Sequence, residues 1–293
     1  MKFNADLVGD LARQKVILFL GAGISASART ASGGKMRGWP EFLGWVNNKN
    51  LTGKIKRQIK DLIKEKDYLL ACEILQQELK NEWPDLIRNE YGQVAAPSEL
   101  HKSVIRLQQR LIITTNFDKL IENTCSSEAL GSHYPTVLYK VDENSFRMMK
   151  DHETSYILKL HGTVDDANSL VFSRSEYIRQ AFGNSQYSGL LDSLLLNYTF
   201  LYIGFSMDDP AITSLMEMYA LKYPSARPHF IFTGNSVEPN ISEINKRLRK
   251  LMIIPYNSSN NHEMLPGIID SLASEASQKR REIAASLKGI SIF

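Results

Sequence analysis

Apolar and polar positions follow two alternating regimes along this chain. Six short apolar runs carry β-branched and aromatic residues without a helical period: Val16 to Leu20, Leu111 to Thr115, Tyr156 to Leu160, Phe200 to Ile203, His229 to Thr233 and Met252 to Tyr256. Runs of this length and composition predict strands buried on both faces, as in a parallel sheet. Between them the apolar positions fall at helical spacing. Phe3, Leu7, Val8 and Leu11 predict a short amphipathic helix before the first strand. Further helices are expected from about Pro210 to Tyr219, around 241–250, and over 262–288. Strands alternating with helices predict an α/β fold, a Rossmann-like parallel sheet flanked by helices. Ligands of such sheets bind beyond the carboxyl ends of the strands.

One long stretch breaks the alternation. Residues 40–108 read as helical throughout, with one apolar stripe at Ile55, Ile59, Leu62 and Ile63 and another at Leu69, Leu70, Ile74, Leu75 and Leu79. Trp83, Leu86 and Ile87 continue the series, and Gly53, Pro84 and the segment Gly92 to Pro97 interrupt it. No strand is expected there. The expected organisation is therefore a sheet domain formed by residues 1–39 and 109–293, with an inserted all-helical module at 40–108.

Composition narrows the classes. A chain of 293 residues with 43% hydrophobic and 23% charged residues is that of a globular protein. It contains no apolar run long enough to span a membrane and no signal-peptide core, so a cytoplasmic, non-membrane protein is expected. A net charge of +3 gives no reason to expect direct nucleic-acid binding. Lys54, Lys56, Arg57, Lys60, Lys64 and Lys66 are interrupted by Asp61 and Glu65 and read as a solvated helix face. The two cysteines, Cys72 and Cys125, supply neither a disulfide framework nor a four-thiolate zinc site.

Candidate chemistry gathers where the apolar runs stop. The first runs into Gly21-Ala22-Gly23-Ile24-Ser25, whose glycines would let backbone approach a pyrophosphate and whose N–H groups could point at it. An ordinary dinucleotide-binding dehydrogenase would carry an acidic residue at the end of a second strand about 20 positions on. Glu41 has that distance, but Gly38-Trp39-Pro40-Glu41 reads as a helix start, and a small-residue loop, Ser25 to Gly38, precedes it. The other runs end in Thr115-Asn116-Phe117-Asp118, His161-Gly162 and Gly204-Phe205-Ser206. Singly, Asn116 or Asp118 could cap the next helix, and His161 could be structural. Four such endings on one edge of one sheet point to a ligand site.

In that order, Gly-Ala-Gly-Ile-Ser, Thr-Thr-Asn-Phe-Asp, Leu-His-Gly and Gly-Phe-Ser followed by Asp209-Pro210 resemble the sirtuin superfamily. The chain is most similar there to the sirtuin-like NAD hydrolases of bacterial antiphage defence systems. The resemblance runs from about Val16 to Tyr256 and is weakest over 40–108. It implies NAD+ as substrate, with Gly21, Ala22 and Gly23 at the pyrophosphate and Ser25 beside them. It implies Thr115 among the nucleotide contacts, Asn116 against the nicotinamide ribose and Asp118 near the nicotinamide amide. His161 would face the ribose hydroxyls, while Gly204, Phe205 and Ser206 would line the adenosine side. Asp209 is a further nucleotide contact unless it chiefly opens the helix at Pro210. Thr233 and Tyr256 would border the adenine. Asn116 and His161 are the implied catalytic pair.

Two departures separate the chain from the protein-deacylase branch of that superfamily. Ser25 is followed by Ala26-Ser27-Ala28-Arg29 rather than by a stretch ending in Asp-Phe-Arg, and no four-cysteine zinc module exists. After His161-Gly162 comes Thr163-Val164-Asp165-Asp166, where a deacylase leads into its zinc ribbon. An NAD glycohydrolase without zinc is therefore expected, and an NAD-dependent deacylase or a non-catalytic NAD- or ADP-ribose-sensing module are the alternatives. The resemblance also implies an effector controlled by assembly, as a homo-oligomer or beside an ATPase, an Argonaute-like protein or a sensor. The stripe of Phe3, Leu7 and Leu11 is one candidate contact surface, and the C-terminal helix of roughly 262–288, followed by an apolar finish at Ile290, Ile292 and Phe293, is the other; the alternative is that both pack on their own domain.

Overall fold

The computed structural model describes residues 2–30, 33–93, 95–128, 134–206 and 210–288. The chain opens with helix α1 (Ala5–Ala12), capped by the Asn4 side chain, and enters strand β1 (Val16–Leu20). A single turn α2 (Ala22–Ser25) and the short strand β2 (Arg29–Thr30) follow. Four helices come next: α3 (Trp39–Asn50), α4 (Gly53–Lys64), α5 (Tyr68–Leu79) and α6 (Glu82–Tyr91). Strand β3 (Ala95–Ala96) and α7 (Glu99–Arg106) lead into β4 (Leu111–Thr114) and α8 (Leu120–Glu128). After β5 (Thr136–Leu138) and the turn α9 (Arg147–Lys150) comes β6 (Tyr156–Lys159). Helices α10 (Arg174–Gly183) and α11 (Ser185–Asn197) precede β7 (Thr199–Ile203). Finally α12 (Pro210–Lys222), β8 (His229–Gly234), α13 (Pro239–Arg249), β9 (Leu251–Tyr256), the turn α14 (Ser259–His262) and α15 (Leu265–Lys288) close the chain.

Seven strands form one parallel sheet in the order β5-β6-β4-β1-β7-β8-β9. The expected Rossmann-like α/β architecture is present. β1 explains why it holds together: all five residues are buried, with Val16, Leu18 and Leu20 on one face and Ile17 and Phe19 on the other. The first face packs on α1, α7, α8 and α15, the second on α11 and α12. The chain leaves β1 for β4 on one side and returns to β7 on the other, so a topological switch lies at the carboxyl end of β1.

Helices α3 to α6 build a separate core around Phe42, Leu43, Ile59, Cys72, Leu75 and Trp83. That core continues into Phe117, Leu120, Val164 and Phe172, residues that follow β4 and β6. The helical module thus seats on the loops at the carboxyl edge of the sheet. Within 40–108, α7 instead packs with α8 and α15 in the layer covering the sheet. One expectation for this stretch is corrected: Ala95–Ala96 is a strand, paired antiparallel with Arg29–Thr30. A ribbon two residues long is too short to leave a period of two in the sequence.

A second correction concerns the ends. Phe3, Leu7 and Leu11 are buried in the same core as Leu265, Ile269, Leu272 and Ala276 of α15. The N-terminal stripe is covered by the chain's own C-terminal helix and offers no outer contact surface. Ile290, Ile292 and Phe293 lie outside the described residues, as does Asp209.

Candidate active site

The ends of β1 and β7 meet glycine to glycine. Gly21 N–H donates to Ile203 O at 3.0 Å and Gly23 N–H to Gly204 O at 2.9 Å. A Cβ on Gly21 would collide with Gly204 O, and one on Gly23 would lie 2.9 Å from Gly204 Cα. Gly204 itself has φ +64°, and a Cβ there would lie 2.7 Å from Ile24 N. The glycines thus have a structural reason as well: their missing side chains allow the close approach of two strand ends, and the N–H groups of Gly21 and Gly23 are bonded across it.

A closed polar network joins this glycine loop to the end of β4. Thr114 Oγ1 donates to Leu20 O at 2.9 Å and accepts from Asn116 N–H at 3.0 Å. Asn116 Nδ2 donates to Gly21 O at 3.0 Å and to Ser25 Oγ at 2.9 Å. Ser25 Oγ in turn donates to Asp118 Oδ2 at 2.6 Å, and Asp118 Oδ1 accepts from Leu120 N–H at 2.9 Å. Asn116, Ser25 and Asp118 are all buried. Both protons of the Asn116 amide are committed, which fixes the carboxamide plane; no described donor reaches Oδ1, the end left for a ligand. Asp118 caps α8 and orders Ser25 at once.

His161 follows β6 and stands beside Tyr177, ring centroids 6.0 Å apart at 74°. Val171 N–H donates to His161 O at 3.1 Å. Gly162 has φ +84°, and a Cβ on it would run into Ser169 O, so the chain turns away immediately behind the histidine.

Ala22, Gly23, Ser25, Thr115, Asn116, Asp118, His161, Gly204, Phe205 and Ser206 line a single cleft of about 980 Å³, at the upper end of the range for ligand sites. Gly21 does not line it and lies beneath, its carbonyl held by Asn116. Thr233 and Tyr256 line the far end, below β8 and β9. Thr233 Oγ1 is buried there without a hydrogen-bond partner, and Tyr256 Oη is 2.8 Å from His262 Nδ1. At the near end the helical module contributes Trp39, Tyr68 and Tyr91. Trp39 packs edge-on against Phe117 and Phe172, with centroids 5.8 and 5.2 Å apart. Burial pushes the Tyr91 hydroxyl well above its ordinary pKa, aided by the charge of Glu90.

Several residues of the site had no sequence expectation. Lys159 is fully buried beneath the Asn116 loop; its signal was a charge inside an otherwise apolar strand. Arg174 lines the cleft and pairs with Asp67 of the helical module at 3.0 Å. His101, on α7, is buried with Nδ1 2.8 Å from Ser98 Oγ, and Ser98 Oγ is 2.6 Å from Ser27 Oγ next to the glycine loop. Burial lowers its pKa to about 4, against the opposing charge of Asp118. Among the described residues no group of three or more His, Cys, Asp or Glu is placed to hold a metal, and no helix is long and apolar enough to cross a membrane.

The NAD(+) hydrolase ThsA of Cytobacillus dafuensis is 27% identical over 218 residues, covering 73% of this chain and 40% of that protein. ThsA of Bacillus cereus (strain MSX-D12) is 25% identical over 225 residues, covering 75% and 43%. Defense-associated sirtuin 2 of Bacillus subtilis is 24% identical over 263 residues, covering 86% and 24%. The chain thus spans well under half the length of these relatives. Residues 110–256, which hold β4 to β9 and with them Asn116, His161 and Gly204, match the SIR2-like domain, and the chain belongs to that family.

Proposed function

We propose that the cleft binds NAD+ and hydrolyses its N-glycosidic bond, giving nicotinamide, ADP-ribose and a proton. The observation that carries this reading is the Asn116 carboxamide, locked through Nδ2 with Oδ1 left for a ligand, in one cleft with His161. The names of the ThsA relatives support it.

The reaction asks little of an acid. Breakage of the C1′–N1 bond sends its electron pair to the pyridinium, so nicotinamide leaves neutral and the ribose becomes oxocarbenium-like. Fixed dipoles around that cation lower the barrier without reorganising. Asn116 Oδ1 is such a dipole, and it can hold a ribose hydroxyl or the attacking water. Water adds to C1′ and gives up a proton, for which His161 is the acceptor within the cleft. Ala22, Gly23 and Ser25 border the pyrophosphate, with Thr115 alongside; Asp118 acts near the nicotinamide amide. Gly204, Phe205 and Ser206 border the adenosine, and Thr233 Oγ1, buried without a partner, offers a polar contact at the adenine end.

Turnover of NAD+ drains a coenzyme every cell needs, so we assign the chain to an effector role in antiphage defence, active on assembly as a homo-oligomer or with a partner protein. The name of the Bacillus subtilis relative supports the setting. Incubation of the purified chain with NAD+, with and without an acetyl-lysine peptide, tests the chemistry by chromatography. Free ADP-ribose and nicotinamide in both tubes is the expected result. Peptide-dependent release would make the chain a deacylase, and binding without products would make it a sensor. Light scattering paired with turnover across protein concentration tests the assembly; a monomer of constant specific activity would remove it.

A further inference from the structure

We propose that Lys159 is a positioning residue that fixes the Asn116 loop against His161, a role that rests on the reading of the cleft as an NAD+-cleaving site. Lys159 ends β6, and its side chain is 0% exposed. Nζ donates to Phe117 O at 3.1 Å, to Asp118 O at 2.5 Å and to Glu122 Oε1 at 2.7 Å. Three protons meet three acceptors, so the ammonium is saturated.

Two of those acceptors are backbone carbonyls of the segment that directly follows Asn116. Lys159 also stands two residues before His161 on its own strand. One ammonium therefore grips the loop of one implied catalytic residue from the strand of the other. Phe117 O accepts a second bond, from Val164 N–H at 3.1 Å on the far side of the His161–Gly162 turn. The loop is thus held from both sides of His161.

An ion pair kept for stability would explain Glu122 and leave the two carbonyls unexplained. Buried ion pairs are commonly replaced by apolar residues without loss of stability. A compact ammonium reaching two successive carbonyls does what an apolar side chain cannot: it sets the two peptide planes after Phe117 and Asp118, and so anchors the chain one residue beyond the Cα that carries the Asn116 side chain. A small displacement there carries Asn116 Oδ1 away from the ribose, and misplacement by about 1 Å costs about 10²-fold in rate.

Two variants separate positioning from pairing. Glu122→Gln keeps an acceptor for Nζ and leaves both carbonyl bonds in place. The double change Lys159→Met with Glu122→Leu removes the carbonyl bonds while leaving no unpaired buried charge. Each is measured by thermal melting, by hydrogen–deuterium exchange over residues 115–120, and by NAD+ turnover. The double variant is expected to melt cooperatively, to exchange about tenfold faster in that segment with β1 and β7 unchanged, and to lose about 10²-fold in kcat with KM altered less than about threefold. Glu122→Gln is expected to match the wild type in exchange and kcat. Wild-type exchange in a folded double variant overturns the proposal. So does a Glu122→Gln variant whose loop exchange rises, an arm that decides even if the double variant fails to fold. A wild-type chain without turnover would defeat the reading of the cleft, and the exchange measurement would still decide the grip of Lys159.

Discussion

Gly21 and Gly204 touch backbone to backbone, so closely that a Cβ on Gly21 would overlap Gly204 O. Gly21 is buried and sits under the cleft floor. Gly21→Ala is therefore expected to act on folding before it acts on ligand binding. Forcing a methyl into a packed contact costs roughly 1–3 kcal/mol, and the rigid neighbour here is backbone. A chemical-denaturation midpoint lowered accordingly is the expected result. Unchanged stability with weakened NAD+ affinity would show instead that the Cβ meets the ligand, as the sequence alone suggests.

Asn116→Ala and His161→Ala should each abolish detectable NAD+ consumption, but their effects on the fold should differ. Asn116 Nδ2 bridges Gly21 O and Ser25 Oγ in a buried setting, so its loss costs on the order of 1–3 kcal/mol. His161 is half-buried at the cleft wall, and its loss should cost less. Loss of an acceptor for the proton typically lowers rate by ~10²–10⁴. Turnover and melting curves on the two variants check both statements; a His161→Ala variant with most of its turnover would remove that residue from the chemistry.

Much of this architecture is legible in the sequence because burial on both faces leaves a mark. Val16 to Leu20 can be apolar throughout only if helices cover both sides of the sheet, and they do. The strand-end motifs announce the cleft for the same reason: polar and small residues interrupt apolar runs where the sheet stops. Contacts between distant segments leave no such mark. The spacing of Phe3, Leu7 and Leu11 says that a face is covered, and only the fold says that α15 covers it. Gly21 and Gly23 read as a loop open to a ligand, and only the fold adds that Gly204, far along the chain, packs against both. The Arg29–Ala96 pairing is too short for any pattern.

Chelation should leave the protein unchanged. Cys72 is buried in the helical module and Cys125 is half-buried on α8, so the two thiols belong to different elements. Burial raises the pKa of both, that of Cys125 to about 11, which disfavours the thiolate that zinc requires. Dialysis against a strong chelator is expected to shift neither the melting temperature nor NAD+ turnover, and metal analysis should find no stoichiometric zinc. A melting temperature that falls on chelation and recovers with zinc would revive the deacylase reading.

Stability should fall as the solution is acidified from neutrality, and two histidines outside the proposed chemistry set the window. Burial lowers His101 to a pKa of about 4 and His229 to about 3, against an ordinary value near 6.5. Both bind protons less readily folded than unfolded. Their contribution is complete above about pH 6.5, shrinks as the unfolded chain takes up protons below it, and stops changing once the folded groups titrate near pH 4 and 3. Each accounts for about 2 kcal/mol at most between pH 7 and pH 5. The ring environments give the cause: His229 Nδ1 accepts from Phe200 N–H at 3.1 Å, His101 Nδ1 from Ser98 N–H at 3.2 Å, and each Nε2 is buried without a partner. A proton added at Nδ1 would displace the backbone donor. Glutamine at 101 keeps the N-terminal cap of α7, since glutamine serves at that position of a capping box. His101→Gln should therefore flatten the slope of unfolding free energy against pH between 6.5 and 4 by up to one proton, and His229→Gln by another. Urea melts of the wild type and both variants across that range are the measurement. Parallel slopes in all three would mean that other groups carry the acid sensitivity.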